Sequence, residues 1–295
     1  MRNSLISAVI TTYGRDFEAI EKAIASVWRQ TYSPIEIIVV DDNGKGSVHQ
    51  RAIENGLQSY PQIVYIVHDV NMGAQRSRND GIKYAKGELI AFLDDDDEWL
   101  ESKCEKQAAL YTDDVGLIYC KGYTISYQGD EPVQSDYYSS AVFKKEVTFE
   151  DMLYRDYIGT TTQAMIPKKV FDICGHFDEN LPARQDYEMW MRISQHFRCV
   201  GVDEPLFLHY IHQGEQISKD FKSVCIGYEY IHRKYREAYS KNIIARDRIL
   251  SMRYYFYMMA KSYRKAFITG VKLAIIRPLF LWKNRKKRTA KSALS

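Results

Sequence analysis

No apolar run in this 295-residue chain reaches the roughly 18 to 20 residues that a membrane-spanning helix needs. The nearest, AFITGVKLAIIRPLFLW from Ala266 to Trp282, is broken by Lys272, Arg277 and Pro278, which suits lying on a membrane better than crossing one. The chain also has no CxxC pair. Cys104, Cys120, Cys174, Cys199 and Cys225 are scattered without regular spacing, which argues against a zinc site or a disulfide framework and for a reducing compartment. No cleavage pattern follows the short apolar stretch at the N-terminus, so it reads as a first strand rather than a signal peptide. Internal repeats and low-complexity segments are lacking. Acidic residues are scarce in one region only: from Phe221 onward three Asp and Glu face nineteen Lys and Arg, a balance of +16 that leaves −13 on the rest of a chain whose net charge is +3. An acidic body with a basic tail implies partners of opposite sign.

What is present is a regular alternation. Strands are expected at Ile6–Thr12, Ile35–Asp42, Ile63–Val67 and Glu88–Leu93. Helices are expected between them at Phe17–Gln30, near Ser47–Ser59 and at Ala74–Ala85. That pitch means βαβ units and an α/β fold with a mostly parallel sheet. Further on, the pattern predicts a helix from about Trp99 to Tyr111, a strand over VGLIYCKGYTISY, a polar loop from Gln128 to Ser140, a short helix at Lys169–Cys174 and another over QDYEMWMRISQHF. From Phe221 the pattern is helical.

Ligands of such sheets bind beyond the carboxyl ends of the strands. Those ends carry Thr11-Thr12-Tyr13-Gly14, Asp41-Asp42-Asn43 and the four carboxylates of FLDDDDEW, Asp94 to Asp97. Two carboxylates about 6 Å apart repel by roughly 3 kcal/mol at an effective dielectric near 20, so four in a row call for a cation. Carboxylate oxygens suit Mg2+ or Mn2+. In an extended segment one pair would face the metal while the other capped a helix beginning near Trp99. A solvated acidic turn that starts this helix is the alternative.

The strand ends VITTYG, VVDDN and FLDDDD, with NMGAQRSRNDGIKYAKGE between the last two, closely resemble the inverting glycosyltransferases of family 2, which have the GT-A fold. The resemblance is clear over residues 5–100, continues to about 215 and is absent in the tail. It implies a Rossmann-like GT-A domain over residues 1–220, its nucleotide-binding half 1–100 and its acceptor half 101–220; charge and helical pattern make residues 221–295 a basic helical, membrane-associating extension. The resemblance further implies that Thr11 and Tyr13 line the base pocket, that Asp42 hydrogen-bonds the base, that Asp96 is the main metal ligand and that Asp94 or Asp95 contacts the ribose or the metal. Gly14 stands where the family often has Asn, and Asp95 where it has Ser or Ala. Arg76 and Arg78 lie on different helix faces, so one of them can reach a diphosphate; Arg78 is the candidate and Arg76 an exposed helix arginine. Gly81 is read as a packing glycine.

Transfer with inversion needs a base for the acceptor hydroxyl. The family places it in a Glu-Asp pair, here Gln185-Asp186, so Asp186 is the implied base, or an N-cap for the helix from Tyr187, with Glu188 as fallback. His212, in HYIHQGEQIS, resembles the family's diphosphate-closing loop, although a lone histidine is more often structural. Trp99 and Trp190 read as core or pocket wall. The tail interleaves Lys and Arg with aromatic and aliphatic residues, which fits the headgroup region of an anionic bilayer rather than nucleic acid; the alternative is that its aromatic face covers the catalytic domain and only KNRKKR is free.

Together these imply a Mn2+- or Mg2+-dependent enzyme that transfers sugar from a nucleotide-sugar, UDP-linked, to a lipid-linked or oligosaccharide acceptor. It would act in the cytoplasm, peripheral on the inner face of the cell membrane. A sugar-1-phosphate nucleotidyltransferase and a non-catalytic nucleotide-binding scaffold are the alternatives. The first lacks its Gly-rich triphosphate loop here.

Overall fold

The computed structural model describes residues 4–129, 131–211 and 220–292. It divides into two compact units. One comprises Met1–Phe149, Tyr157–Glu179 and Met189–Gln213; the other comprises Glu150–Asp156, Asn180–Glu188 and Gly214–Ser295.

In the first unit the apolar runs become strands β1 (Ile6–Thr12), β2 (Ile35–Asp41), β3 (Val64–Val67) and β4 (Leu89–Asp94). They lie in the order β3-β2-β1-β4 and pair in parallel. Helices α1 (Phe17–Trp28), α2 (Val48–Leu57) and α3 (Ala74–Tyr84) form the crossovers. Helix α1 buries Ile20, Ala23, Ile24 and Val27, four positions at helical spacing. Ser47 caps α2 by accepting the Gln50 N–H. Gly81 lets α3 approach the sheet: a Cβ there would stand 2.3 Å from Val9 Cγ1, so the packing role expected of it holds.

Beyond β4 the sheet turns mixed. It contains β5 (Asp97–Trp99), β6 (Val115–Gln128), β7 (Glu131–Asp136), β8 (Glu146–Val147), β9 (Met165–Pro167) and β10 (Arg198–Tyr210). The order continues β4-β9-β6-β10-β5, with β7 on β6 and β8 on β10. Along the chain between these strands come α4 (Lys103–Ala108) and α6 (Lys169–Cys174), together with α5 (Phe149–Tyr154), which from Glu150 belongs to the second unit, and α7 (Gln185–Ser194), which belongs to it as far as Glu188. Trp99 and Trp190 are core residues, their indole N–H groups donating to the carbonyls of Thr162 and Gly159.

Two expectations are corrected here. The aspartates do not cap a helix near Trp99: Asp95 and Asp96 form a turn, Asp97 opens β5, and α4 starts only at Lys103. Segment 128–140 is not all loop, because β7 pairs antiparallel with β6.

In the second unit the C-terminal helices are α8 (Phe221–Lys234), α9 (Arg236–Lys241), α10 (Ile243–Met259) and α11 (Tyr263–Ser292). Asp220 caps α8 through the N–H groups of Lys222 and Ser223. Helices α10 and α11 pack together, and Phe256, Tyr257, Ala266, Leu273 and Ile276 are buried. Among the described residues no helix is long and apolar enough to cross a membrane.

Candidate active site

Register brings the strand ends level. Thr11 pairs with Asp94 and Thr12 with Asp41, so β1, β2 and β4 end along one rim of the sheet. Six carboxylates collect there, as the sequence implies, and their partners sort them into two groups.

Three are committed to structure. Asp41, fully buried, accepts the backbone and side-chain N–H of Asn43 and the Tyr65 hydroxyl. Asn43 in turn accepts the Gly14 N–H at 2.7 Å, tying the β2 end to the β1 loop. Asp42 accepts the N–H groups of Met72 (2.7 Å) and Gly73 (2.8 Å), which fixes the approach to α3, and lies 2.7 Å from His68 Nδ1. His68 Nε2 meets Asp80, which also pairs with Arg76. Two of the three contacts fall on Asp42 Oδ1, so Oδ2 keeps capacity for another donor. Asp97, buried on β5, accepts the Thr162 hydroxyl at 2.7 Å and lies 2.9 Å from His209 Nδ1. Burial works to lower the His209 pKa; the Asp97 hydrogen bond and the nearby Asp96 and Asp94 charges more than offset it, holding the imidazole above its ordinary value.

The other three, Asp94, Asp95 and Asp96, face two arginines. Arg78 Nη2 donates to Asp94 Oδ1 at 2.8 Å. Its side chain is buried, with the guanidinium carbon 5.9 Å from the Phe177 ring centroid, and its Nε and Nη1 have no hydrogen-bond partner among the described residues. Arg76, by contrast, is half-exposed and pairs with Asp80 and Glu179, the division between the two arginines that their helix faces suggest. Arg15 Nη2 donates to Asp96 Oδ2 at 2.6 Å, and its Nε lies 3.7 Å from Asp95 Oδ1. Asp95 is only 8% exposed and its Oδ2 has no hydrogen-bond partner among the described residues. Burial pushes its carboxyl up to about 7; the Thr12 hydroxyl and the Arg15 charge oppose the rise, and the Asp96 and Asp94 charges add to it.

These residues fit a hard divalent cation in donor type, since all are carboxylate oxygens and one is buried and unpartnered. Among the described residues no three carboxylate, imidazole or thiol groups converge closely enough to hold a metal ion unaided. Phosphate and water oxygens would have to complete the shell, as is usual for Mg2+.

Thr11 is half-buried and Tyr13 is 60% exposed, its ring open at the rim. His212 lies outside the described residues. Asp186 belongs to the second unit. The N-cap reading of it is corrected, because α7 begins at Gln185 and Asp186 stands inside the first turn. Glu188, the fallback base, is fully buried and receives Lys234 Nζ at 2.6 Å and the Tyr235 hydroxyl at 3.2 Å. That use is structural and leaves it inaccessible to a substrate hydroxyl.

Sequence reasoning missed Arg15, His68, Asp80, Thr162 and His209. Arg15 directly follows the rim motif and was legible as a neighbour of it. The others meet the rim only through tertiary pairing, which no local pattern encodes.

The sequence model of the family described as Glycosyl transferase family 2 matches residues 7–177. A putative colanic acid biosynthesis glycosyl transferase, WcaA of Escherichia coli K12, is 32% identical over 251 residues, spanning 81% of this chain and 84% of its own length. The Escherichia coli UDP-Glc:alpha-D-GlcNAc-diphosphoundecaprenol beta-1,3-glucosyltransferase WfgD is 26% identical over 194 residues, 65% of this chain and 71% of that one. Among solved structures, the mannosyltransferase PcManGT from Pyrobaculum calidifontis, in complex with GDP-Man and Mn2+, matches with a TM-score of 0.62 at 16% identity, covering 98% of this chain and 84% of that one. The last likeness speaks for the fold alone, the GT-A architecture.

Proposed function

The chain belongs to glycosyltransferase family 2, and from that premise we propose that it transfers a sugar, with inversion, from a UDP-sugar to a saccharide acceptor carried on a lipid diphosphate, in building a surface polysaccharide. One observation carries the reading. Asp94–Asp96 include a buried carboxylate oxygen for a cation, unpartnered among the described residues, and Arg78 adjoins them with two nitrogens, Nε and Nη1, likewise unpartnered there and suited to phosphate oxygens. The names of two relatives support the pathway and the acceptor class: WcaA is assigned to colanic acid biosynthesis, and WfgD acts on a diphosphoundecaprenol-linked sugar.

In this reading the Tyr13 ring covers the base, Thr11 lines its pocket and Asp42 Oδ2 accepts a base N–H. Asp96 is the principal ligand of Mn2+ or Mg2+, with Asp94 and Asp95 beside it on the ribose or the ion. The ion, when bound, supplies positive charge to the departing diphosphate. Arg78 holds the phosphates, His212 contacts them, and Asp186 takes the proton of the acceptor hydroxyl. A helix's first turn favours the negative charge on Asp186. Asp96→Ala and Asp186→Ala should each lower transfer by about a thousandfold or more, as expected for a metal ligand and a base. Calorimetry should show Mn2+-dependent UDP binding lost in the first and kept in the second. Normal transfer after either change would overturn that residue's role, and pyrophosphate release from UTP would favour a nucleotidyltransferase.

The same proposal places the enzyme on the cytoplasmic face of the membrane, held by the second unit. Along α11, Tyr263, Phe267, Val271 and Ile275 recur every fourth residue and are exposed, Phe267 by 73%. Arg264 and Lys272 are exposed beside them. This is an apolar stripe with basic flanks of the kind that settles among anionic headgroups. The double substitution Phe267→Ser/Ile275→Ser should cut co-sedimentation with anionic vesicles about tenfold while leaving UDP binding intact. Unchanged sedimentation refutes the attachment.

A further inference from the structure

Three carboxylates and two guanidinium groups meet at the rim, and the two arginines differ in how they are held. Arg78 is buried, carried on a helix and set against Phe177, so its pairing with Asp94 is fixed by packing. Arg15 is about one third exposed and stands on the connection between β1 and α1. The backbone just before it is pinned: Gly14, at φ +68°, donates its N–H to Asn43. An arginine side chain on a fixed backbone can sweep several ångströms by rotamer change alone. Arg15 therefore combines a defined anchor with a movable charge.

We propose that Arg15 is a placeholder for the divalent cation: it neutralises Asp95 and Asp96 in the donor-free protein, gives up that position when the cation enters with the nucleotide, and turns to the donor's phosphate oxygens. The inference rests on the metal-binding reading above. Asp96 Oδ2 already receives Arg15 Nη2 at 2.6 Å, and Asp95 Oδ1 lies 3.7 Å from Arg15 Nε. A dication on those oxygens would sit within a few ångströms of the guanidinium, where like charges repel strongly. Once displaced, Arg15 has five N–H donors and no acceptor, a charged fork that matches the paired anionic oxygens of a diphosphate better than the neutral acceptors of a base or sugar. It would act as a positioning residue that makes cation and nucleotide enter together, since either one alone leaves a charge unmatched.

The test is calorimetry on the full chain with Mn2+ alone, and with UDP in saturating Mn2+. Arg15→Ala should bind Mn2+ alone about tenfold more tightly, because the competing cation is gone, and bind UDP with Mn2+ about tenfold more weakly, each change being the size of one lost charge-assisted hydrogen bond. Arg15→Lys, which keeps the charge and loses the fork, should restore the first property more than the second. An ordinary surface ion pair would give neither change, so unaltered or weakened Mn2+ binding in Arg15→Ala overturns the placeholder role. Unaltered UDP binding overturns the phosphate role. If the wild-type chain takes up no Mn2+ even with UDP, or if uptake survives Asp96→Ala, the underlying metal reading fails and this inference with it. A failure confined to the Arg15 variants leaves that reading standing.

Discussion

Asp95 and Glu188 are both carboxylates taken out of water, one in each unit, and they are held on opposite terms. Glu188 is fully buried and satisfied: Lys234 and Tyr235 both donate to it. Asp95 is nearly as buried, yet among the described residues its Oδ2 has no hydrogen-bond partner, its Oδ1 lies 3.7 Å from Arg15 Nε, and burial pushes its carboxyl up to about 7. Buried polar groups are almost always paired, so an unpaired one marks a place where something else is expected to bind. The contrast separates a carboxylate satisfied within the protein from one with an oxygen to spare, the one the proposed reading gives to the donor site, a distinction that residue type alone does not make.

The comparison breaks most visibly if the paired acid loses its partner. Lys234→Met leaves Glu188 charged and buried, and should cost about 2 to 4 kcal/mol, somewhat below the usual range for a broken buried pair because Lys234 is one third exposed. Urea unfolding would measure it. Adding Glu188→Gln to that variant should recover most of the loss. A loss below about 0.5 kcal/mol, the level of a surface pair, would show that Glu188 is not a structural acid.

Much of this was legible in the sequence where burial on both faces writes itself as an apolar run. The strands at Ile6–Thr12 and Ile35–Asp41 and the helix from Ala74 appear within a residue or two of expectation. Strand β7 was not, because EPVQSD is largely exposed and is held to β6 by backbone pairing, which leaves no hydrophobic signature. Strand β10 hid for a related reason: Asp203, Glu204 and Pro205 interrupt its middle, where its register with β6 shifts. The rim motifs named Asp42, Asp94, Asp95 and Asp96 in place. They could not say that Asp97 would pair with His209, or that Arg15 would reach Asp96, since those pairings join residues 112 and 81 positions apart. Nor could periodicity show that segments 150–156 and 180–188 join the C-terminal helices in one unit.

Asp95, weakly paired through Oδ1 and unpartnered at Oδ2 among the described residues, should behave in the reverse sense to Glu188, with a smaller effect and a pH signature. A carboxyl whose folded pKa is about 7, against an ordinary value near 3.9, holds a proton in the folded protein that the unfolded chain has already lost between those limits. Stability therefore falls as pH rises from about 4 through 7. Asp95→Asn removes the group that must ionise, and should raise stability by about 1 to 3 kcal/mol at pH 7.5, with the gain fading to nothing by pH 4. Thermal unfolding across that range checks both sign and window. Mn2+ with UDP should stabilise the wild-type protein at pH 7.5 and the Asn variant less, because the ion relieves in the first what the substitution has already removed. A variant that is less stable than wild type at pH 7.5 would mean that Asp95 is satisfied in the resting protein after all, and the contrast with Glu188 would collapse.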